Sequence, residues 1–125
     1  LYEDPDQDLN NLWWELVEKY QLIKKPKGRN QPDWAAKIHF TIAPVYYHNY
    51  MLGELLASQL HTYIVYKLLK TEPEETVSYV NKRAIGSYLK KNVFRVGKKY
   101  TWSEMIKQAT GEYLTAKYFV GQFVK

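Results

Sequence analysis

The chain has 125 residues, of which 46% are hydrophobic and 25% charged, and a net charge of +5. These values fit one small domain with its own core and exclude a disordered polypeptide. Cysteine is absent, which excludes disulfides and thiolate metal sites and leaves the redox compartment unread.

Twelve Tyr and four Trp point to a partly polar interior or a large contact surface. The basic residues fall in short groups (Lys24, Lys25 and Lys27; Lys82 and Arg83; Lys90 and Lys91; Lys98 and Lys99) that acidic residues interrupt. They form no single stripe, so a solvated basic surface is expected and a nucleic-acid partner is not. The first ten residues are largely acidic and polar, so no signal peptide is expected among them. A start at Leu1 rather than Met gives the expectation of an excised or processed segment. The longest apolar stretch, Met51 to Leu69, contains Glu54, Gln59, His61 and Lys67, so no membrane span is expected.

Residues 1 to 7 read as an acidic lead-in. Asp8 is placed to cap a helix over about Leu9 to Leu22. There Leu9, Leu12, Trp13, Leu16, Val17 and Tyr20 repeat at helical spacing. Lys24 to Trp34 holds Pro26, Gly28, Asn30 and Pro32 and reads as a loop. Lys37 to Ile42 alternates in polarity. With no second convincing strand nearby, it is expected to be an extended segment. Pro44 suits the first turn of a long helix running to about residue 70, interrupted only by Gly53. Some 25 residues would span nearly 40 Å. That helix is apolar nearly all round, so it should be central, with part of its surface belonging to a missing neighbour. A turn around Pro73, within Thr71 to Glu75, follows. Next comes a helix over about Tyr79 to Val93, with Gly97 after its end. Thr101, Trp102, Ser103 and Glu104 form a capping box for a short helix ending near Gly111. Leu114 to Val124 closes the chain as a helix with Leu114, Tyr118, Phe119 and Phe123 inward. The expected fold is all-α, one helical domain over 1–125 bundled around the long helix of about residues 44–70.

His39, His48 and His61 are nine and thirteen residues apart, with no i, i+4 pair and no HExxH sequence. A zinc site complete within this chain is therefore not expected. No nucleophile elbow, phosphate loop or dinucleotide fingerprint occurs. The densest chemistry lies between Lys37 and Tyr50, with a Lys, two His and three Tyr. On a helix Tyr47 and Tyr50 share a face. Tyr hydroxyls beside a Lys and a His can bind a carboxylate and donate to an oxyanion. A Tyr-rich core helix whose hydroxyls reach the surface gives the same pattern.

Trp13-Trp14-Glu15-Leu16, Lys19-Tyr20-Gln21, Pro26 and Arg29-Asn30 occur in an order that resembles the WW, KYQG, PP and RN elements of angiotensin-converting-enzyme-like peptidases. Ala36-Lys37-Ile38-His39 is similar to the A-K-F-H segment that follows there. Pro44, then Tyr47 and Tyr50, match its Pro and Tyr-x-x-Tyr. Lys82 to Gly86, Tyr100-Thr101-Trp102, Thr110-Gly111, and Leu114 with Tyr118-Phe119 resemble the closing helices. The likeness covers nearly the whole chain but only the C-terminal fifth or so of such an enzyme. It implies a zinc-dependent peptidase of the dipeptidyl carboxypeptidase type, whose HExxH zinc site lies in an N-terminal catalytic portion of the same polypeptide. The fragment alone would bind no zinc and be inactive.

By the same resemblance, Lys37 pairs with the C-terminal carboxylate of a peptide substrate. Tyr47 (or Tyr46) hydrogen-bonds that carboxylate, and His39 bonds a backbone carbonyl. Tyr50 donates to the oxyanion of the tetrahedral intermediate. His39 to Tyr47 is one residue longer than the family spacing, so an insertion near Thr41 to Ala43 is needed. Without it Tyr46 replaces Tyr47 and the oxyanion donor falls on Asn49. The Tyr-Tyr-x-x-Tyr run is also similar to thimet-oligopeptidase-like enzymes, which admits endopeptidase cleavage. Chloride-binding Arg positions of animal members match Val17 and Asn49, so chloride activation is not supported. Localisation is unread, with export implied by the resemblance alone. The rival reading is a non-catalytic helical protein-interaction module. Self-association of the fragment is a further expectation.

Overall fold

A computed structural model of the chain describes residues 3–71 and 77–124. Among them the fold is all-α with no strand, and the chain divides into two compact units, Leu1–His48 and Asn49–Lys125. The expected turn around Pro73 lies, apart from Thr71, outside the described residues.

The first unit is built on helix α1, Leu9–Gln21. Its start follows from Asp8, whose carboxylate accepts the Asn11 backbone N–H and satisfies one of the orphan donors of the first turn. Leu22 ends it in the left-handed conformation and returns its N–H to Glu18 O. Val17 is the buried residue of α1, whereas Leu16 and Tyr20 of the same apolar pattern are exposed. The loop that follows is fastened to α1 by polar side chains. Trp14 Nε1 donates to Asp33 Oδ2 at 3.0 Å, and Arg29 Nε donates to the same oxygen at 2.7 Å. Trp34 Nε1 donates to Asn10 Oδ1, and Asn10 Nδ2 in turn donates to Asn30 Oδ1. The loop closes in a 3-10 turn, Asp33–Ala36, so helical backbone begins before its expected end at Trp34.

The segment expected to be extended, 37–42, is a short helix, α2, Ile38–Thr41. Alternation misleads here because the described residues offer no strand to pair with. The backbone groups must then find local partners, and a helical turn supplies them. Ile42 N–H and Ala43 N–H both return to Ile38 O. The long helix starts later than expected. Val45 sits at φ 55°, a left-handed position that costs a β-branched residue strain and breaks the helix after Pro44.

Helix α3 runs over His48–Thr62 and continues as π-helix through Tyr63–Leu68, so the long helix ends close to where the sequence predicts. It carries the core of the second unit. Ile64 packs with Ile85 and Tyr88, flanked by Leu60, Tyr63, Leu68, Leu69 and Leu89. Helix α4, Arg83–Leu89, continues as π-helix through Lys90–Phe94. It starts four residues after the expected Tyr79 because Asn81, at φ 61°, is left-handed and Lys82 N–H closes a turn on Tyr79 O. Helix α5, Trp102–Thr110, opens on the expected capping box, with Thr101 and Glu104 exchanging side-chain-to-backbone hydrogen bonds. It ends at Gly111, whose φ of 90° suits a residue without Cβ. Ile106 and Ala109 bury its inner face. Helix α6 is shorter than expected, Lys117–Phe123, and Phe123 points outward at 62% exposure.

One buried amide ties these parts together. Gln59, 1% exposed, donates through Nε2 to Thr110 Oγ1 at 2.7 Å, Glu112 O at 3.2 Å and Tyr113 O at 3.3 Å. Its Oε1 accepts the Thr115 N–H at 3.1 Å. A leucine at this position would leave the Thr115 N–H and two carbonyls without that partner. Each orphaned group costs about 1–3 kcal/mol. Gln59→Leu should therefore lower stability by about 3 kcal/mol in a urea titration, an effect well outside the usual surface-substitution range.

Two pH responses follow. The hydrogen bond from Arg29 holds the Asp33 carboxyl below its ordinary 3.8; burial opposes this, and the Trp14 N–H and the charges of Arg29 and Lys25 add to it. The unfolded chain then binds more protons at acid pH. The contribution is present above about pH 4 and is lost as pH falls through the lowered pKa. Burial, with a smaller contribution from Tyr63, pushes the Tyr88 hydroxyl up to about 12, and that hydroxyl donates to Ala109 O at 2.6 Å. Its contribution is complete below pH 10 and is lost as pH rises towards 12. Asp33→Asn should shrink the acid limb and Tyr88→Phe the alkaline limb of a stability-against-pH curve.

Candidate functional site

Four of the nominated residues, Lys37, His39, Tyr46 and Tyr47, lie in the first unit, and the fifth, Tyr50, lies in the second. Lys37 joins the 3-10 turn to α2 with extended backbone (φ −91°, ψ 116°), and its carbonyl accepts the Phe40 N–H at 2.9 Å. Its side chain is exposed. His39 is half-buried in α2. Its ring stacks on Tyr47 at 5.0 Å and 24°. Tyr46 lies parallel to the same imidazole at 6.2 Å and 10°. Both tyrosines offered by the one-residue ambiguity therefore contact His39, and Tyr47 is the closer.

Tyr47 is also met edge-on by Phe40, at 5.8 Å and 62°. Phe40 in turn meets Trp13 of α1 at 6.0 Å and 88°. Edge-to-face pairs of this geometry add about 0.5–1.5 kcal/mol each beyond area burial. The sequence reading named Lys37, His39 and Tyr47 but not this support. In the sequence Trp13 reads as part of the apolar face of α1, and Phe40 as one member of an alternating run. The structure brings Lys37, His39, Tyr46 and Tyr47 into one unit. Tyr50, in the first turn of α3 and 57% exposed, belongs to the second.

The arrangement combines a flexible cation, a ring-held imidazole and phenol hydroxyls at 42% and 49% exposed tyrosines. Such a set can bind an anion or a peptide carbonyl. It lacks a buried nucleophile. Zinc has no matching donor set: among the described residues, no three His, Cys, Asp or Glu side chains come together. His61 is engaged otherwise, with Nδ1 at 2.8 Å from the Tyr79 hydroxyl.

The second unit holds a cavity of about 280 Å³ lined in part by Gln59, Tyr63, Tyr66, Glu112 and Tyr118. None of the nominated residues lines it. Its carboxylate is already neutralised. Lys117 Nζ donates to Glu112 Oε2 at 2.8 Å, and the Tyr118 hydroxyl donates to Oε1. The Lys117 and Tyr118 hydrogen bonds hold the Glu112 carboxyl below its ordinary range. No helix among the described residues is long and apolar enough to cross a membrane.

Comparison with known proteins gives a consistent answer. Residues 3–123 match the family model described as angiotensin-converting enzyme. The chain is 30% identical over 105 residues to the angiotensin-converting enzyme-like protein Ace3 of Mus musculus, covering 82% of this chain and 14% of that protein. It is 30% identical over 117 residues to thermostable carboxypeptidase 1 of Pyrococcus furiosus, covering 91% of this chain and 22% of that protein. It is 28% identical over 108 residues to the angiotensin-converting enzyme of Oryctolagus cuniculus, covering 85% of this chain and 8% of that protein. No solved structure matches significantly. The chain thus spans less than a quarter of the length of these relatives. The match to the family model over almost the whole sequence shows that the chain belongs to the angiotensin-converting-enzyme family of peptidases.

Proposed function

We propose that this chain is the substrate-binding portion of a zinc-dependent peptidase that removes residues from the C-terminus of short peptides. The observation that carries this reading is the His39–Tyr47 stack at 5.0 Å, formed two residues after Lys37 within one compact unit. Lys37 pairs with the terminal carboxylate, a charge-assisted contact that favours an exopeptidase. Tyr47 donates a hydrogen bond to the same carboxylate, with Tyr46 beside it. His39 bonds a substrate backbone carbonyl. Tyr50 donates to the oxyanion that develops as the scissile carbonyl becomes tetrahedral. Zinc and the general base come from another part of the same polypeptide, so the 125-residue chain alone turns over no peptide.

The test uses the chain itself. A short peptide with a free C-terminus and its C-terminal amide are titrated against isotope-labelled protein. The free acid should shift the Lys37, His39 and Tyr47 resonances, and the amide should not. Lys37→Met should weaken free-acid binding about tenfold, which corresponds to about 1.4 kcal/mol. Equal shifts with acid and amide would sink the carboxylate assignment and favour the interaction-module reading, which the exposed Met51, Trp102 and Phe123 also suit. Peptide turnover by this chain after zinc addition would refute the division of labour.

A further inference from the structure

We propose that Phe40 is a positioning residue that holds the His39–Tyr47 pair in the orientation needed to receive a peptide C-terminus. The inference rests on the substrate-binding reading above and names a residue outside it.

The need for such a residue comes from the backbone. His39 sits on a helix of four residues, Ile38–Thr41, too short to be rigid by itself. Tyr47 lies beyond the Pro44–Val45 turn and one residue before α3 begins. Neither helix therefore dictates the angle between the two rings. Side-chain contacts must set it.

Phe40 is placed to do so. It follows His39 directly and is half-buried. One side of its ring meets Tyr47 at 5.8 Å and the other contact is Trp13 at 6.0 Å, both edge-to-face. Trp13 is anchored in turn. It is carried by α1, which Asp8 caps and which the Trp14–Asp33 and Asn10–Trp34 hydrogen bonds tie to the following loop. The order Trp13, Phe40, Tyr47, His39 thus runs from a fixed helix to the imidazole. Edge-to-face and stacked rings tolerate little rotation, because the quadrupoles that attract in one orientation repel in another.

Two readouts test this on the intact chain. The first is the ring-current shift of the His39 imidazole C–H protons, which stacking on Tyr47 displaces from their unstructured values. The second is the dissociation constant for the free-acid peptide. Phe40→Leu removes the aromatic edge and keeps apolar bulk. It should return the His39 signals at least halfway to their unstructured positions and weaken peptide binding about fivefold, under 1.4 kcal/mol. Phe40→Tyr retains the ring and should keep both readouts near wild type, and Phe40→Met, which like Leu keeps apolar bulk without a ring, should behave as Phe40→Leu. The Trp34 indole N–H signal, reporting its bond to Asn10, monitors folding of the unit. Unchanged His39 signals in Phe40→Leu with that indole signal intact overturn the positioning role alone. Wild-type protein with a normal His39 shift but no preference for the free acid overturns the substrate-binding reading, and the positioning role with it.

Discussion

The second unit depends on one buried amide. Gln59 occupies the interior of α3 at a position where most helices place an aliphatic residue, and it makes four hydrogen bonds to the segment between Thr110 and Thr115. That segment has no regular structure, so its backbone groups have no ladder in which to pair. Where such groups turn inward, a side chain must supply the missing partners. Gln59 supplies two N–H donors and an acceptor oxygen at once, whereas an apolar residue supplies neither and a single hydroxyl only one donor. The end of α5 and the approach to α6 are thereby fixed against the helix that also carries Ile64 and Val65. The hydroxyl of Tyr88, donated to Ala109 O, secures the same end of α5 from α4.

The first unit uses the same solution with different residues. Its loop from Leu22 to Pro32 is long and mostly polar, with Leu22 and Ile23 exposed at its start. Two indole N–H groups and two Asn side chains hold it and the following 3-10 turn to α1, and the Arg29–Asp33 pair braces it against that turn. The consequence is a firm platform beneath α2, although α2 itself is a single helical turn. The candidate binding residues thus stand on a backbone whose order comes from side chains.

How much of this was legible in the sequence follows from the range of each interaction. Caps and stops are written locally. Asp8, the Thr101–Glu104 box and Gly111 satisfy groups within four residues of themselves, and each was read correctly. The all-α class followed from helical periodicity over α1, the apolar run with few breakers that forms α3 and the capping box that opens α5. The alternation at 37–42 misled because an extended segment with no partner strand leaves its backbone groups unpaired, and a helical turn pairs them locally. The onset of α3 was misread because Pro44 is compatible with a helix start, and nothing in Val45 announces a left-handed backbone. Gln59 and Phe40 were illegible for another reason. Their partners lie more than fifty residues away in one case, and seven and twenty-seven in the other, with no motif linking them. The site residues Lys37, His39, Tyr47 and Tyr50 became visible through family resemblance, since their types alone describe a tyrosine-rich core helix equally well.

The π-helical turns at Tyr63–Leu68 and Lys90–Phe94 bear on how such chains diverge. A π turn carries more residues than an α turn over the same closed loop of hydrogen bonding. It can therefore absorb an inserted residue inside a helix while the flanking turns keep their packing partners. Ile64 and Val65, neighbours in sequence, are both buried at such a turn. Sequence spacing along this helix consequently runs ahead of structural spacing. Two members of the family can present the same side chains to the same neighbours while their residue counts differ by one.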